Sequence, residues 1–132
     1  MEDKKRIKMR IKSNVILLVG LLLVLNCKAK TLKDDGNVFM EALKVSDADK
    51  SFNMIDISIQ REVGGMEGWK TWIQNRKPIK WEFTNLELKG EINGQLQGNA
   101  DFSTGQHLDV QLNFEKSGDD WKIIGIDFKS EK

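Results

Sequence analysis

Few residues of this chain are of the types that carry covalent or acid–base chemistry. It holds one cysteine (Cys27), one histidine (His107) and no tyrosine. A lone cysteine excludes an internal disulfide and any cysteine-based metal cluster. One imidazole is too few for a zinc or non-haem iron centre, so neither a metal nor another cofactor is expected. That leaves the carboxylates. On a helical wheel Asp56 falls about 40° from Phe52, at the edge of an apolar arc. Partial desolvation there would raise its pKa toward the range a general base needs. The competing reading is a boundary residue that leans into water or pairs with a nearby Lys or Arg. Glu62 ranks below Asp56 for the same role.

Four tryptophans, Trp69, Trp72, Trp81 and Trp121, are the candidates for binding chemistry. They could line an apolar pocket, with the small inward residues Gly98 and Ala100 leaving room for a ligand. The favoured reading is that they are the aromatic filling of a small core, with small residues opposite large ones. The Gly-rich stretch "GGMEG" at 64–68 is no phosphate loop. No strand precedes it and no Lys-Ser/Thr follows.

The elements that would position these residues show in the hydrophobic period. From Asn37 the pattern is helical, with Val38, Phe39, Ala42, Leu43 and Val45 on one side. "SDAD" at 46–49 supplies N-cap residues for a second helix, where Ala48, Phe52, Ile55, Ile59 and Val63 share an arc up to Gly64-Gly65. A third, short helix over 66–75 places Trp69, Trp72 and Ile73 at i, i+3, i+4, and Pro78 forbids its continuation. Beyond Pro78 the period becomes two. Ile79, Trp81 and Phe83 share a face, then the phase slips to Leu86 and Leu88, which predicts a β-bulge.

Asn93-Gly94 predicts a tight hairpin turn. A second strand follows with Leu96, Gly98, Ala100 and Phe102 inward and Gln95, Gln97, Asn99 and Asp101 outward. A third has Leu108, Val110, Leu112 and Phe114 inward, which puts His107 outside. The fourth, "WKIIGIDFK", slips between Ile123 and Ile124. Gln95, Gln97, Asn99, Gln111 and Asn113 make the outward face rich in amides, either a solvated surface or an interface for a polar partner such as an envelope protein or a glycan. Three helices followed by a four-stranded antiparallel meander is an α+β chain.

The first 36 residues read differently. Residues 1–26 carry six basic and two acidic side chains of the chain's 21 and 20, leaving 15 and 18 for the rest, a net of −3. Such a mildly acidic remainder argues against nucleic acid as a partner. Val15 to Leu25 is an apolar run of eleven. It is short of the roughly 20 residues a membrane span requires and fits the core of a secretory signal peptide, whether translation starts at Met1 or Met9. "VLNC" closes it.

That tetrapeptide resembles the lipobox of bacterial lipoproteins, with Val24 and Leu25 in pattern and Asn26 in place of the usual Gly, Ala or Ser. The resemblance covers about 20 residues. It implies a diacylglycerol on the Cys27 thiol, cleavage before Cys27 and acylation (palmitate or a similar chain) of the new amino terminus. Two or more such chains anchor stably where one does not. Lys28, rather than Asp, after the cysteine implies the outer over the inner membrane. The alternative is an incidental free thiol in a plain signal or an uncleaved anchor. "KAKTLKDDGN" reads as a solvated tether.

The order of elements, the opening "NVFMEALKVSDADK" and the closing "GDDWKIIGIDFK" resemble the cystatin-like or nuclear-transport-factor-two-like superfold. In particular they resemble small bacterial lipoproteins of unknown function built on it. The resemblance implies N-terminal helices packed on a curved sheet, a cone. Enzymes of that superfold place an acid or His inside the cone and often a Tyr or protonated carboxyl beside it. The chain has no Tyr, and its inward strand positions are apolar.

Three segments are therefore expected: a signal peptide over 1–26, a lipidated tether over 27–36 and the α+β domain over 37–132. The function expected is that of an envelope lipoprotein, held to the membrane through acyl chains on Cys27, with a non-enzymatic binding domain for an envelope protein or a small apolar ligand. The alternative is an isomerase- or cyclase-type enzyme with Asp56 as base.

Overall fold

The computed structural model describes residues 32–130, and the expected signal peptide over 1–26, Cys27 and the tether residues up to 31 lie outside them. Within 32–130 lie four helices and one four-stranded antiparallel sheet. Helix α1 covers 32–44 of the described residues, followed by α2 (Ala48–Met54), α3 (Ile57–Glu62) and α4 (Gly65–Ile73). The strands are β1 (Pro78–Lys89), β2 (Asn93–Phe102), β3 (His107–Ser117) and β4 (Asp120–Ser130), in the spatial order β1-β2-β3-β4. This is the meander and the α+β class that the period predicts.

The start of α1 corrects the tether expected over 27–36. Leu32 and Gly36, assigned to that tether, are buried. Leu32, Gly36, Phe39 and Leu43 follow i, i+4, i+7, i+11 and define the helix face on the sheet. A wheel begun at Asn37 rotates that face, which is why Val38 and Val45, expected inside, are exposed at 39% and 62%. Complete burial of Leu32, Phe39, Met40 and Leu43 stabilises by about 1.5–3 kcal/mol for each side chain. Gly36 permits the close seat, since a Cβ there would lie 2.3 Å from a Leu96 methyl.

The second helix expected over the "SDAD" to Gly64 stretch is two helices. Asp47 caps α2 as expected, accepting from the Lys50 N–H at 3.1 Å. At Ile55 the backbone turns extended (φ −96°, ψ 149°). Ile55 forms an isolated parallel bridge with Ile123 of β4, and the Asp56 N–H donates to the Ile123 carbonyl at 2.8 Å. Periodicity could not show this, because Ile55 faces the core in either conformation. The free edge of β4 competes for the backbone and wins there.

Both phase slips are bulges. Phe83 pairs with Gly98 and Asn85 with Gln97, leaving Thr84 extra in β1. Asn113 pairs with Gly125 and Phe114 with Ile123, leaving Ile124 extra in β4. The Asn93-Gly94 turn is not where the sequence places it. Lys89 pairs with Asn93, the loop is Gly90 to Ile92, and Gly90 takes the left-handed φ of +74°. Gly94 lies inside β2 under Leu32, where a Cβ would stand 2.6 Å from a leucine methyl.

The four helices cover the inner face of the sheet. Leu96, Ala100 and Phe102 of β2 and Val110, Leu112 and Phe114 of β3 are buried there against Phe39, Leu43, Ile55, Trp69 and Ile73. The inward set expected for the two central strands is the set observed, with Leu108 half-buried and Gly98 against β1.

Candidate binding surfaces

Asp56 is the N-cap of α3. Its carboxylate accepts from the Ser58 N–H at 3.0 Å and from the Ser58 hydroxyl at 2.8 Å. These two bonds hold its carboxyl below the usual carboxylate range, with smaller help from the Ile57 N–H and Lys122 against slight desolvation. Asp56 therefore caps α3, and its pKa moves opposite to the rise expected for a general base at that position. The chain places it at the helix start because α2 breaks at Ile55. Nearby, the Lys122 ammonium donates to the Asn53 carbonyl at 2.7 Å and fastens β4 to the end of α2.

The four tryptophans are not gathered into one pocket. Trp69 is fully buried, and its indole N–H donates to the Ser51 hydroxyl at 2.8 Å, itself fully buried. That hydroxyl donates in turn to the Asp47 carbonyl at 2.9 Å, so every polar atom of this relay is satisfied. Trp72 stacks on Trp69 with centroids 5.0 Å apart and planes 12° apart, and the Arg76 guanidinium lies 4.3 Å from a Trp72 ring centroid. Trp81 is half-buried and donates to the Asn37 side-chain carbonyl at 3.0 Å. Trp121 is buried at the start of β4. The room expected beside Gly98 is taken up by β1, since a Cβ there would lie 1.9 Å from the Glu82 carbonyl oxygen.

The surface depressions among the described residues include the following three. A cleft of about 250 Å³ runs between α3, α4 and β4, lined by Ile59, Val63, Trp69, Trp72, Ile124 and Ile126, with Glu62 at the same cleft. Two of the expected tryptophans, Trp69 and Trp72, meet here, and the β4 bulge at Ile124 shapes one wall. With Trp69 fully buried behind it, the exposed wall mixes aromatic and aliphatic side chains with polar atoms and the Glu62 carboxylate. A groove of about 340 Å³ lies along the outer side of α1, between Val38, Ala42, Val45 and Trp81. The third, about 400 Å³, is a polar trough on the outer face of the sheet, where Asn85, Gln97, Gln111 and Asp127 lie in register across all four strands.

The amides of that outer face bond to each other. The Asn85 amide donates to the Gln97 carbonyl at 2.8 Å, Gln97 to Gln111 at 3.2 Å and Gln95 to Asn113 at 2.9 Å. Alternation located these residues, and their cross-strand register joins them. His107 is outside, as its parity predicts, and pairs with Asp101 directly across β2 and β3. Among the described residues no group of three or more His, Cys, Asp or Glu side chains is placed to hold a metal ion, and no helix is long and apolar enough to cross a membrane. The signal that reveals Leu32 as core is the i, i+4, i+7, i+11 series, legible only when the wheel is extended back through the polar stretch. The cleft had no comparable signal, because its walls come from three separate elements.

No protein-family model and no curated protein matches the chain. Among solved structures it is similar to the solution structure of a SEC-C motif containing protein from Rhodopseudomonas palustris. The two share 17% identity with a TM-score of 0.55, over 70% of this chain and 72% of that one. At that identity the likeness concerns the fold and not the site, and it agrees with an α+β domain of helices on an open antiparallel sheet.

Proposed function

We propose that this protein is an envelope lipoprotein of the cystatin-like or nuclear-transport-factor-two-like kind. Acyl chains on Cys27 anchor it, and its α+β domain binds a small apolar ligand without catalysing a reaction. One observation carries the anchor: Cys27 directly follows an eleven-residue apolar run behind a basic segment. The binding reading draws support from the cleft that Trp69 and Trp72 line with Ile59, Val63 and Ile126. The isomerase or cyclase alternative rested on Asp56, and the α3 cap with its lowered pKa weighs against that reading. Accordingly no second function is advanced.

Intact-mass analysis of the protein extracted from bacterial membranes tests the anchor. The expected mature chain begins at Cys27 and carries the mass of a diacylglycerol, with or without a further acyl chain. An unmodified thiol at position 27 overturns it. For the cleft, a fluorescent fatty acid should bind the wild-type chain and lose affinity at least several-fold in Trp72→Ala. Equal affinity would remove the cleft from the proposal.

A further inference from the structure

The chain joins the domain at one particular end of the sheet. Leu32 sits over Gly94 and beside Leu88, next to the β1–β2 turn. From there α1 follows the direction of β2: Gly36 lies against Leu96 and Phe83, and Asn37 takes the indole of Trp81. Burial and the nearby charges of Asp34 and Asp120 push the Asp35 carboxyl up, which sets the first described turn of α1 close to Asp120 at the β3–β4 turn. The β2–β3 turn over 103–106 lies at the opposite end, because consecutive turns of a meander alternate between ends.

We propose that the domain rests on the bilayer through this end, with Ile92 of the β1–β2 turn as its apolar contact, an inference that rests on the lipid-anchor reading above. Chain length requires the apposition. Five Cα–Cα steps separate Cys27 from Leu32, and whatever conformation residues 28–31 adopt they span at most about 18 Å. A lipid-linked cysteine stands at the base of a headgroup layer about 5–8 Å deep, half the difference between the total bilayer and its hydrocarbon core. Leu32, whose complete burial fixes it to the domain, is therefore held within about 10–13 Å of the lipid surface. A ten-residue strand such as β2 is by itself about 34 Å long. The domain cannot hang free on such a tether.

The end held down is not one that charge would recruit. Its two turns, with Asp120 at the start of β4, and the first described turn of α1 carry Asp34, Asp35, Glu91, Asp119 and Asp120 against Lys33. Lys89 and Lys116 at the adjoining strand ends and Lys28 and Lys30 in the tether bring the balance near neutral, so an anionic membrane gains little net attraction and the covalent link supplies the proximity. Ile92, at 51% exposure, is then the side chain best placed to enter the headgroup layer. The β2–β3 turn points away from the lipid.

Short-range quenching tests this on the full lipidated chain in phosphatidylcholine vesicles that contain a headgroup-attached quencher. One cysteine-reactive fluorophore is placed at I92C, another at T104C, both exposed positions. Quenching should be several-fold stronger at 92 than at 104. A glycine–serine insertion of about 20 residues between Thr31 and Leu32, with a mean reach of about 25 Å, should erase most of that difference. Equal quenching at the two positions, with the acyl mass present on Cys27, overturns the apposition and leaves the anchor standing. A difference that survives the insertion also overturns it, because tether length would then not be the cause. A free thiol at Cys27 overturns anchor and apposition together.

Discussion

The two faces of this sheet are made from alternate residues of the same four strands, and different interactions hold them. On the inner face Leu96, Leu112 and Phe114 are removed from water by α1 and α4. On the outer face Asn85, Gln97 and Gln111 join amide to amide in the open. Burial of an aliphatic side chain is worth about 1.5–3 kcal/mol. An exposed amide–amide bond replaces two bonds to water and nets a fraction of that. Stability therefore resides on one face, and the other is free to vary in chemistry without unfolding the protein. The two faces also differ in their tolerance of backbone irregularity. At the β1 bulge the strand leans over Gly98, where no side chain fits.

Single substitutions should separate the faces, and the largest effect belongs inside. Leu112→Ala removes a fully buried side chain and should lower the unfolding free energy by about 2–5 kcal/mol in urea denaturation. A cost under ~1 kcal/mol would mean that the inner face collapses onto the gap and is not tightly packed.

Next comes the polar relay within that core. Ser51→Ala strands the Trp69 N–H in a dry site and should cost about 1–3 kcal/mol. In a Trp69→Phe background, which lacks the donor, the same change should cost far less. Equal costs in both backgrounds would show that the hydrogen bond contributes nothing.

Asp56 tests the boundary between the faces. Asp56→Ala removes the α3 cap and should cost about 1 kcal/mol near neutral pH, whereas Asp56→Asn keeps an acceptor and should cost less. The folded pKa of Asp56 is depressed. Its contribution is thus complete above the unfolded carboxylate value and is lost as pH falls through the folded value. The gap between wild type and Asp56→Ala should close on acidification. A gap that stays constant to low pH would show that the cap does not depend on the charge.

The smallest effect belongs outside. Gln97→Ala interrupts the amide ladder at its middle, and thermal unfolding should register a loss below about 0.5 kcal/mol. A loss matching Leu112→Ala would erase the distinction between the faces.

Much of this was legible in the residue order, and the exceptions share a cause. The central strands β2 and β3 were readable because strict alternation has one solution once a face is buried. The bulges at Thr84 and Ile124 were readable as phase slips, whereas the register shift between Pro78 and Lys80, which leaves Ile79 exposed and off the face of Trp81 and Phe83, was not. Asn93-Gly94 misled because a glycine needed under Leu32 looks the same as a glycine needed for a turn. Ile55 misled because an apolar residue on a helical arc is equally apolar in a bridge to Ile123. The tryptophans were located as helix and strand residues correctly. Their division between a buried relay, a cleft and a groove depended on which elements meet, and local spacing carries no such information.

What the sequence by itself determined is periodic or contiguous. The change from helical to strand period, the order of four antiparallel strands, the inward and outward sets of the central two and the charge contrast at residue 26 all follow from neighbours along the chain. Tertiary structure alone decided that α1 extends back at least to Leu32, that the second helix breaks at Ile55, that Asp56 caps a helix and that Trp69 bonds to Ser51. Each of these turns on a competition between local backbone preference and a partner distant in sequence: Gly94 for Leu32, Ile123 for Ile55, Trp69 for Ser51. Local preferences amount to tenths of a kcal/mol per residue, and a buried contact outweighs them.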